Sequence, residues 1–205
     1  MRSIVVQESI TLDGVMQAPG GPEEDPSNGF PYGGWTAPFG GGNDPDAGRF
    51  MSNVLAPADL LLGRKTFEIF EAYWPDHAAN WPGVMDVTKY VVSTTLDDDR
   101  VTGSRWPNCT LLKSTEDVEA LKRSDGSQLK VWGSSVLVQS LMERDLVDEL
   151  VLMTYPVVLG TGKRLFAEGA GAGSFSAVES VVTAKGVYLA HYRRAGRVET
   201  GTVGE

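Results

Sequence analysis

At 205 residues the chain fits one domain of ordinary size, long enough to bury a real core. Apolar residues make up 41%, normal for a soluble globular protein, and no apolar run reaches the ~18 residues that mark a membrane helix. Lysine and arginine total 18 against 27 acids, and the net charge of −9 repels nucleic acid with no basic stripe to offset it. A single cysteine, Cys109, rules out an intrachain disulfide and points to a cytoplasmic home. No secretory signal is visible at Met1-Arg2-Ser3-Ile4. Two histidines and one cysteine are too few for a His/Cys metal centre, so no metal is expected.

The elements follow in chain order. Ile4-Val5-Val6 begins a strand that runs to about Leu12, and Asp13-Gly14 ends it with turn chemistry. Between Pro19 and Gly48 lie 9 of the 24 glycines and 6 of the 11 prolines, so no regular period survives there. Phe30, Tyr32, Trp35 and Phe39 interrupt that stretch, and four aromatics argue for an ordered flap rather than a solvated coil. We take 17–45 as the flap loop. A helix follows from Pro45-Asp46 to about Leu55. Leu60–Leu62 reads as a buried strand, Gly63 breaks it, and a helix runs from Thr66 to Tyr73, where Trp74-Pro75 should stop it. Tyr90-Val91-Val92 is a strand ending in Ser93-Thr94-Thr95, and Asp97-Asp98-Asp99 reads as a solvated turn.

Thr110–Leu112 is a short strand, and Ser114 or Thr115 caps a helix through about Lys122. Leu129–Trp132 is a strand closed by Gly133. Ser134 or Ser135 then caps a helix with Val136, Leu137, Leu141 and Met142 inward. Leu150–Met153 is a strand, Gly160–Lys163 a loop, and 176–183 with 187–192 a final hairpin around Lys185-Gly186. Strands alternating with helices predict a single α/β domain over 1–195: a mostly parallel mixed sheet flanked by helices, with a C-terminal antiparallel hairpin. Residues 196–205 read as a flexible tail.

Three predicted strand ends carry small polar or cationic residues: Gly63-Arg64-Lys65-Thr66, Ser93-Thr94-Thr95 and Gly133-Ser134-Ser135. In a parallel sheet the C-terminal strand ends share one edge, where ligands bind. Two of the three open into helices, and free N–H groups at a helix start suit a phosphate. Gly160-Thr161-Gly162-Lys163-Arg164 fails as a P-loop, because Val157 and Arg164 stand where that motif needs Gly and Ser or Thr. The acids available for proton chemistry are Glu8, Asp13, Asp44 and Asp46.

The ordered set Ser9–Gly14, Leu61–Phe67, Tyr90–Ser93, Val131–Ser134, Leu146–Leu150 and Pro156–Phe166 resembles the dihydrofolate reductase superfamily. The nearest branch is the reductase domain of riboflavin biosynthesis. The resemblance implies a dihydrofolate reductase-like fold and an NADPH-dependent oxidoreductase that passes hydride to a small pteridine- or pyrimidine-like heterocycle. It implies that Arg64, Lys65 and Thr66, with Gly63, hold cofactor phosphates. Ser93 and Thr94 would lie by the adenosine and its 2′-phosphate, Gly133, Ser134 and Ser135 by the pyrophosphate, and Ser9 by the nicotinamide. Asp46 would be the nearest match to the family's acid and Thr154 to a substrate-side threonine. A homodimer is a further expectation from relatives. Two rival readings are a nucleotide-binding member without catalysis and the riboflavin-pathway reductase proper.

Overall fold

The computed structural model describes residues 1–41, 44–166 and 168–204; Gly42 and Asn43, inside the expected flap, lie outside the described residues. Eight strands form one sheet: β1 (Ile4–Thr11), β2 (Asp59–Gly63), β3 (Lys89–Val92), β4 (Cys109–Leu112), β5 (Leu129–Val131), β6 (Glu149–Tyr155), β7 (Ser174–Val182) and β8 (Tyr188–Gly196). The helices are α1 (Pro45–Leu55), α2 (Arg64–His77), α3 (Asp98–Thr102), α4 (Thr115–Arg123) and α5 (Ser135–Glu143). Across the sheet the order is β4-β3-β2-β5-β1-β6-β8-β7. Pairing is parallel from β4 through β6 and antiparallel at β8 and β7. The α/β class and the closing hairpin are as expected.

A parallel strand covered on both faces needs apolar residues at every position, and Leu60, Leu61 and Leu62 are all buried. On one face Ile4, Val6, Leu61, Leu129 and Val131 pack against Val118 of α4 and Leu137, Val138 and Leu141 of α5. On the other, Phe50 and Val54 of α1 cover Val5, Val151 and Leu189. Phe67 of α2 joins Leu60, Leu62, Val91 and Trp106 beside them. Each such buried side chain contributes about 1.5–3 kcal/mol.

Two lysines are buried with the core. The Lys130 Nζ donates to the carbonyls of Asn53, Val54 and Ala56 at 3.2, 2.8 and 2.7 Å, where α1 ends. A helix end leaves such carbonyls without internal partners and carries partial negative charge, so a buried ammonium there is both a cap and a counter-charge. The Lys89 Nζ donates to the Met85 and Pro107 carbonyls, each at 2.9 Å, and sits 5.0 Å from the Trp106 ring centre. Burial pulls both ammonium groups down to about 8.

Three local expectations are corrected. α2 does not stop at Trp74-Pro75; it runs through Pro75 to His77. Proline removes one donor only, near the end of the helix, and packing holds the last turn: Tyr73 stacks on His77 at 3.9 Å and Trp74 lies edge-on to Trp81 at 4.9 Å. The aspartate run is not a turn. Asp97 is the N-cap residue of α3, with Asp98 and Asp99 in its first turn, where the helix dipole favours acids. Val136 does not face inward; it is 75% exposed, while Val138 takes the buried position.

The glycine-rich loop is ordered by its aromatics. Phe30 and Trp35 pack with Val15 and Ala18, and Trp35 and Phe39 stand edge-on to Tyr155 at 5.3 and 5.5 Å. Gln17 is the polar centre. Its amide nitrogen donates to the Asp25 and Ser27 carbonyls at 2.9 and 3.0 Å. Its amide oxygen accepts from the Lys163 backbone at 3.0 Å, and its carbonyl accepts from the Trp35 indole at 2.8 Å. One buried side chain thereby ties the loop to the 157–166 segment.

Candidate functional site

The parallel strands end along one edge, and a cleft of about 940 Å³ opens there, within the range of small-molecule sites. From adjacent strands, β1 crosses β5 to reach β2 in one direction and β5 crosses β1 to reach β6 in the other, so the cleft lies where the strand order reverses. Ser9, Gly63, Arg64, Lys65, Thr66, Ser93, Thr94, Gly133, Ser134 and Ser135 all line it. Four separate sequence segments therefore meet on one wall with Lys113 and Ser114 of the β4–α4 turn, Glu24 of the loop and Lys163 of the late segment.

The centre of that wall is a lock between two helix starts. The Gly63 backbone donates to the Ser134 hydroxyl at 2.9 Å, and the Ser134 backbone donates to the Thr66 hydroxyl at 2.9 Å. The Ser134 hydroxyl in turn donates to the Trp132 carbonyl at 3.0 Å. Its side chain is thus committed to β2 and β5 and does not cap α5, although Ser134 occupies the N-cap position. Gly63 precedes α2 with no side chain at all. α1 and α4 differ: Asp44 accepts from the Ala47 backbone at 3.1 Å, and Ser114 forms a capping box with Asp117. Of the three helix starts on the cleft, those of α2 and α5 keep their first N–H groups without a side-chain cap.

Gly133 and Ser134 both have left-handed backbone, at φ 56° and 61°. A Cβ on Gly133 would lie 2.7 Å from the Thr66 hydroxyl oxygen, so only glycine lets the turn approach α2 this closely. Arg64 and Lys65 add positive charge beside the lock. Arg64 reaches Glu68 only at 4.0 Å, and Lys65 has no ion-pair partner among the described residues. The other cations nearby are engaged: Lys163 with Asp25 at 2.5 Å, Arg164 with Asp13, and Lys113 with the Leu96 carbonyl.

The most deeply buried acid at this cleft is Glu8. It is 3% exposed, and its Oε1 has no hydrogen-bond partner among the described residues. Burial pushes its carboxyl well above the ordinary glutamate range, the nearby Glu24 carboxylate pushes the same way, and only the Gly133 backbone N–H opposes. Glu24 is itself raised by burial, against the pull of the Gly20 and Gly21 backbone. A raised folded-state pKa means that the folded protein holds a proton the unfolded chain has released. Stability from this group therefore falls as pH rises from about 4.3, the unfolded value, through the folded one. Glu8→Gln removes the penalty. We expect the variant to melt with the wild type near pH 4 and increasingly above it toward pH 8; a constant difference across thermal melts in that range would contradict the assignment.

The structure does not bring Asp46 or Thr154 to the cleft. Asp46 lies in the exposed first turn of α1, paired with Arg49 at 3.1 Å. Its place in the helix start reflects the dipole, and nothing buries or aims it. Thr154 sits inside β6, paired with Ile10 and Tyr188. Asp13 is a brace: its carboxylate accepts from the Thr11 hydroxyl at 2.6 Å and from the Leu159 and Gly160 backbone at 3.2 and 2.9 Å. The Thr11 bond, then the two N–H groups, hold it below the usual carboxylate range against slight desolvation. Sequence reasoning ranked Glu8 beside Asp13 and Asp44, although alternation along β1 places it on the face of Ile4, Val6 and Ile10, which marks it as buried. Glu24 and Lys163 carried no such signal, since they reach the cleft through loops.

The uncharacterized proteins YyaP and YwjB of Bacillus subtilis strain 168 are similar in sequence. YyaP is 30% identical over 177 residues, covering 82% of this chain and 81% of its own. YwjB is 28% identical over 174 residues, covering 82% and 84%. Two solved structures share the fold. The "Putative riboflavin biosynthesis protein" of Shewanella sp. PV-4 superposes with a TM-score of 0.63 at 21% identity, covering 94% of this chain and 98% of its own. The dihydrofolate reductase of Enterococcus faecalis, complexed with NADP(H) and RAB-propyl, gives 0.57 at 17%, covering 94% and 96%. Residues 2–189 match the RibD C-terminal domain along almost the whole chain, and the protein belongs to that family.

Proposed function

We propose that the protein is an NADPH-dependent reductase that transfers hydride to a small pteridine- or pyrimidine-like heterocycle, or to a related imine or carbonyl. The observation that carries this reading is the pair of uncapped helix starts, α2 and α5, locked together on one cleft beside Arg64 and Lys65. Helix starts with free N–H groups bind phosphates, and two at one strand edge suit the linked phosphates of a dinucleotide. Family membership supports it, as does the shared fold with a reductase complexed with NADP(H).

In this reading Arg64, Lys65 and Thr66 hold phosphates at the start of α2. Gly133 and Ser134 shape the turn, and Ser135 with the first turn of α5 offers backbone N–H groups to the pyrophosphate. Ser93 and Thr94 lie on the adenosine side, and Ser9, at the end of β1, on the nicotinamide side. NADPH supplies the hydride when bound; the protein supplies binding, orientation and exclusion of water. Hydrogen bonds to charged groups contribute about 1.5–3 kcal/mol each. Arg64→Ala and Lys65→Ala should therefore each weaken NADPH binding by about tenfold to a hundredfold, and weaken NADH binding less. Fluorescence titration reads both. Wild-type protein that shows no saturable binding at millimolar NADPH would remove the proposal. Binding without oxidation by dihydrofolate, aminopyrimidine ribosides or quinones would favour a nucleotide-binding protein without catalysis.

A further inference from the structure

Glu8 is a buried acid that no cation among the described residues pairs with; the Gly133 backbone N–H alone faces its carboxyl. It stands on β1 between Val6 and Ile10, on the face covered by α5, where neighbouring positions are apolar. It also lines the cleft, next to Ser9 and across from Glu24. One carboxyl oxygen has no partner among the described residues, and no cation pairs with it there. Other charged groups on the cleft wall are Arg64 and Lys65 from α2, Lys113 before α4, Glu24 and Asp25 from the loop, and Lys163 and Arg164 from the late segment. Lys163 is held by Asp25 and Arg164 by Asp13, so neither pairs with Glu8. An acid left unpaired in such a place is stable only as the neutral carboxyl, which has a proton to give.

We propose that Glu8 is the acid of this site and donates its carboxyl proton to a ring nitrogen or carbonyl oxygen of the bound acceptor. This rests on the reductase reading and narrows its substrate class. The acceptor is a planar, conjugated C=N or C=O compound that carries no anionic group at this end, because Glu24, and Glu8 once it has given up its proton, would repel one. When the acceptor carbon takes hydride, the π pair moves onto the nitrogen or oxygen. That atom takes the Glu8 proton, and the carboxylate left behind regains a proton from water. The acceptor gains two electrons and two hydrogens in all, and the dihydronicotinamide is oxidised. Burial first and then the Glu24 charge both favour the protonated form of Glu8, the form a general acid needs.

The test uses the full chain. Carbon-13 NMR of carboxyl-labelled glutamate, without cofactor, should show one glutamate titrating well above the exposed ones, with that signal missing in Glu8→Gln. A Glu8 that titrates with the exposed glutamates overturns the proposal. NADPH oxidation is then followed with 7,8-dihydrofolate, dihydropterin and quinones as acceptors. Glu8→Gln should lower kcat by about a hundredfold or more and remove the alkaline limb of the pH–kcat profile. Its NADPH affinity should stay within threefold of wild type, and Glu8→Asp should restore part of the rate. Turnover with wild-type kcat in Glu8→Gln overturns the Glu8 assignment alone. Saturable NADPH binding with no oxidation by any acceptor overturns the reductase reading, and the proposal with it.

Discussion

Gly133→Val is expected to lower NADPH affinity by more than about tenfold and to cost about 2–5 kcal/mol of stability. Two separate costs combine at this position. A side chain at φ 56° carries a left-handed penalty of about 1–2 kcal/mol. Its Cβ, 2.7 Å from the Thr66 hydroxyl oxygen, must also push α2 away from the turn, and overpacking of this kind costs about 1–3 kcal/mol. The displaced Thr66 loses its bond from the Ser134 backbone, and the two helix starts no longer face one ligand. Gly63→Ala is the matched comparison. Its Cβ meets Ser134 at an ordinary 3.5 Å, and its backbone is extended, so it should change both quantities little. Chemical denaturation and NADPH titration of the pair check the result; equal behaviour of the two variants would show that the close approach at 133 has no consequence.

The second large effect lies away from the cleft. Lys130→Ala removes a side chain whose ammonium group serves three carbonyls at the end of α1. The Val54 and Ala56 carbonyls lose this donor inside the core, and the stem of the lysine leaves a cavity. Each loss alone costs about 1–3 kcal/mol, and together we expect about 3–5 kcal/mol, read as a lower urea midpoint with an unchanged slope. Burial holds the charged form at a disadvantage, with the pKa drawn down to about 8, and the bonds to the Val54 and Ala56 carbonyls offset it, while the Asn53 carbonyl also accepts from the Ala56 backbone. Lys130→Met separates the parts: it fills the volume but not the hydrogen bonds, and should recover only the cavity share. A Lys130→Ala chain as stable as wild type would mean that α1 ends without need of this cap.

Much of the fold was legible because its elements have strong periods. The apolar triplet at Leu60–Leu62 and the glycine that follows it could hardly be anything but a buried parallel strand opening into a helix. Composition at the strand ends marked the cleft for the same reason: Gly63, Ser93 and Gly133 are each the first polar or flexible residue after an apolar run. What escaped depended on contacts between distant segments. The length of α2 rests on Tyr73, Trp74 and Trp81 packing, which outweighs a proline. The acidic run at 97–99 suits a turn and a helix start equally well, because both favour aspartate. Val136 and Val138 lie two apart beside Leu137, and local spacing alone does not say which faces the sheet. Asp46 drew attention by following the flap, a statement about sequence position; Glu8 is marked by alternation, a statement about geometry. The second kind of signal was the better guide to the cleft.

The uncapped helix starts carry one more consequence. In α1 and α4 a carboxylate or hydroxyl from the chain closes the first turn, so those helices are complete as soon as they fold. In α2 and α5 the chain withholds that closing group. A phosphate seated on them would do the work of the missing side chains, with amide groups that otherwise exchange readily with solvent becoming protected on binding. The occupant of the cleft would then be a structural member of the domain as well as its reagent, and the melting temperature of the protein would report how much of that occupant the cell contains.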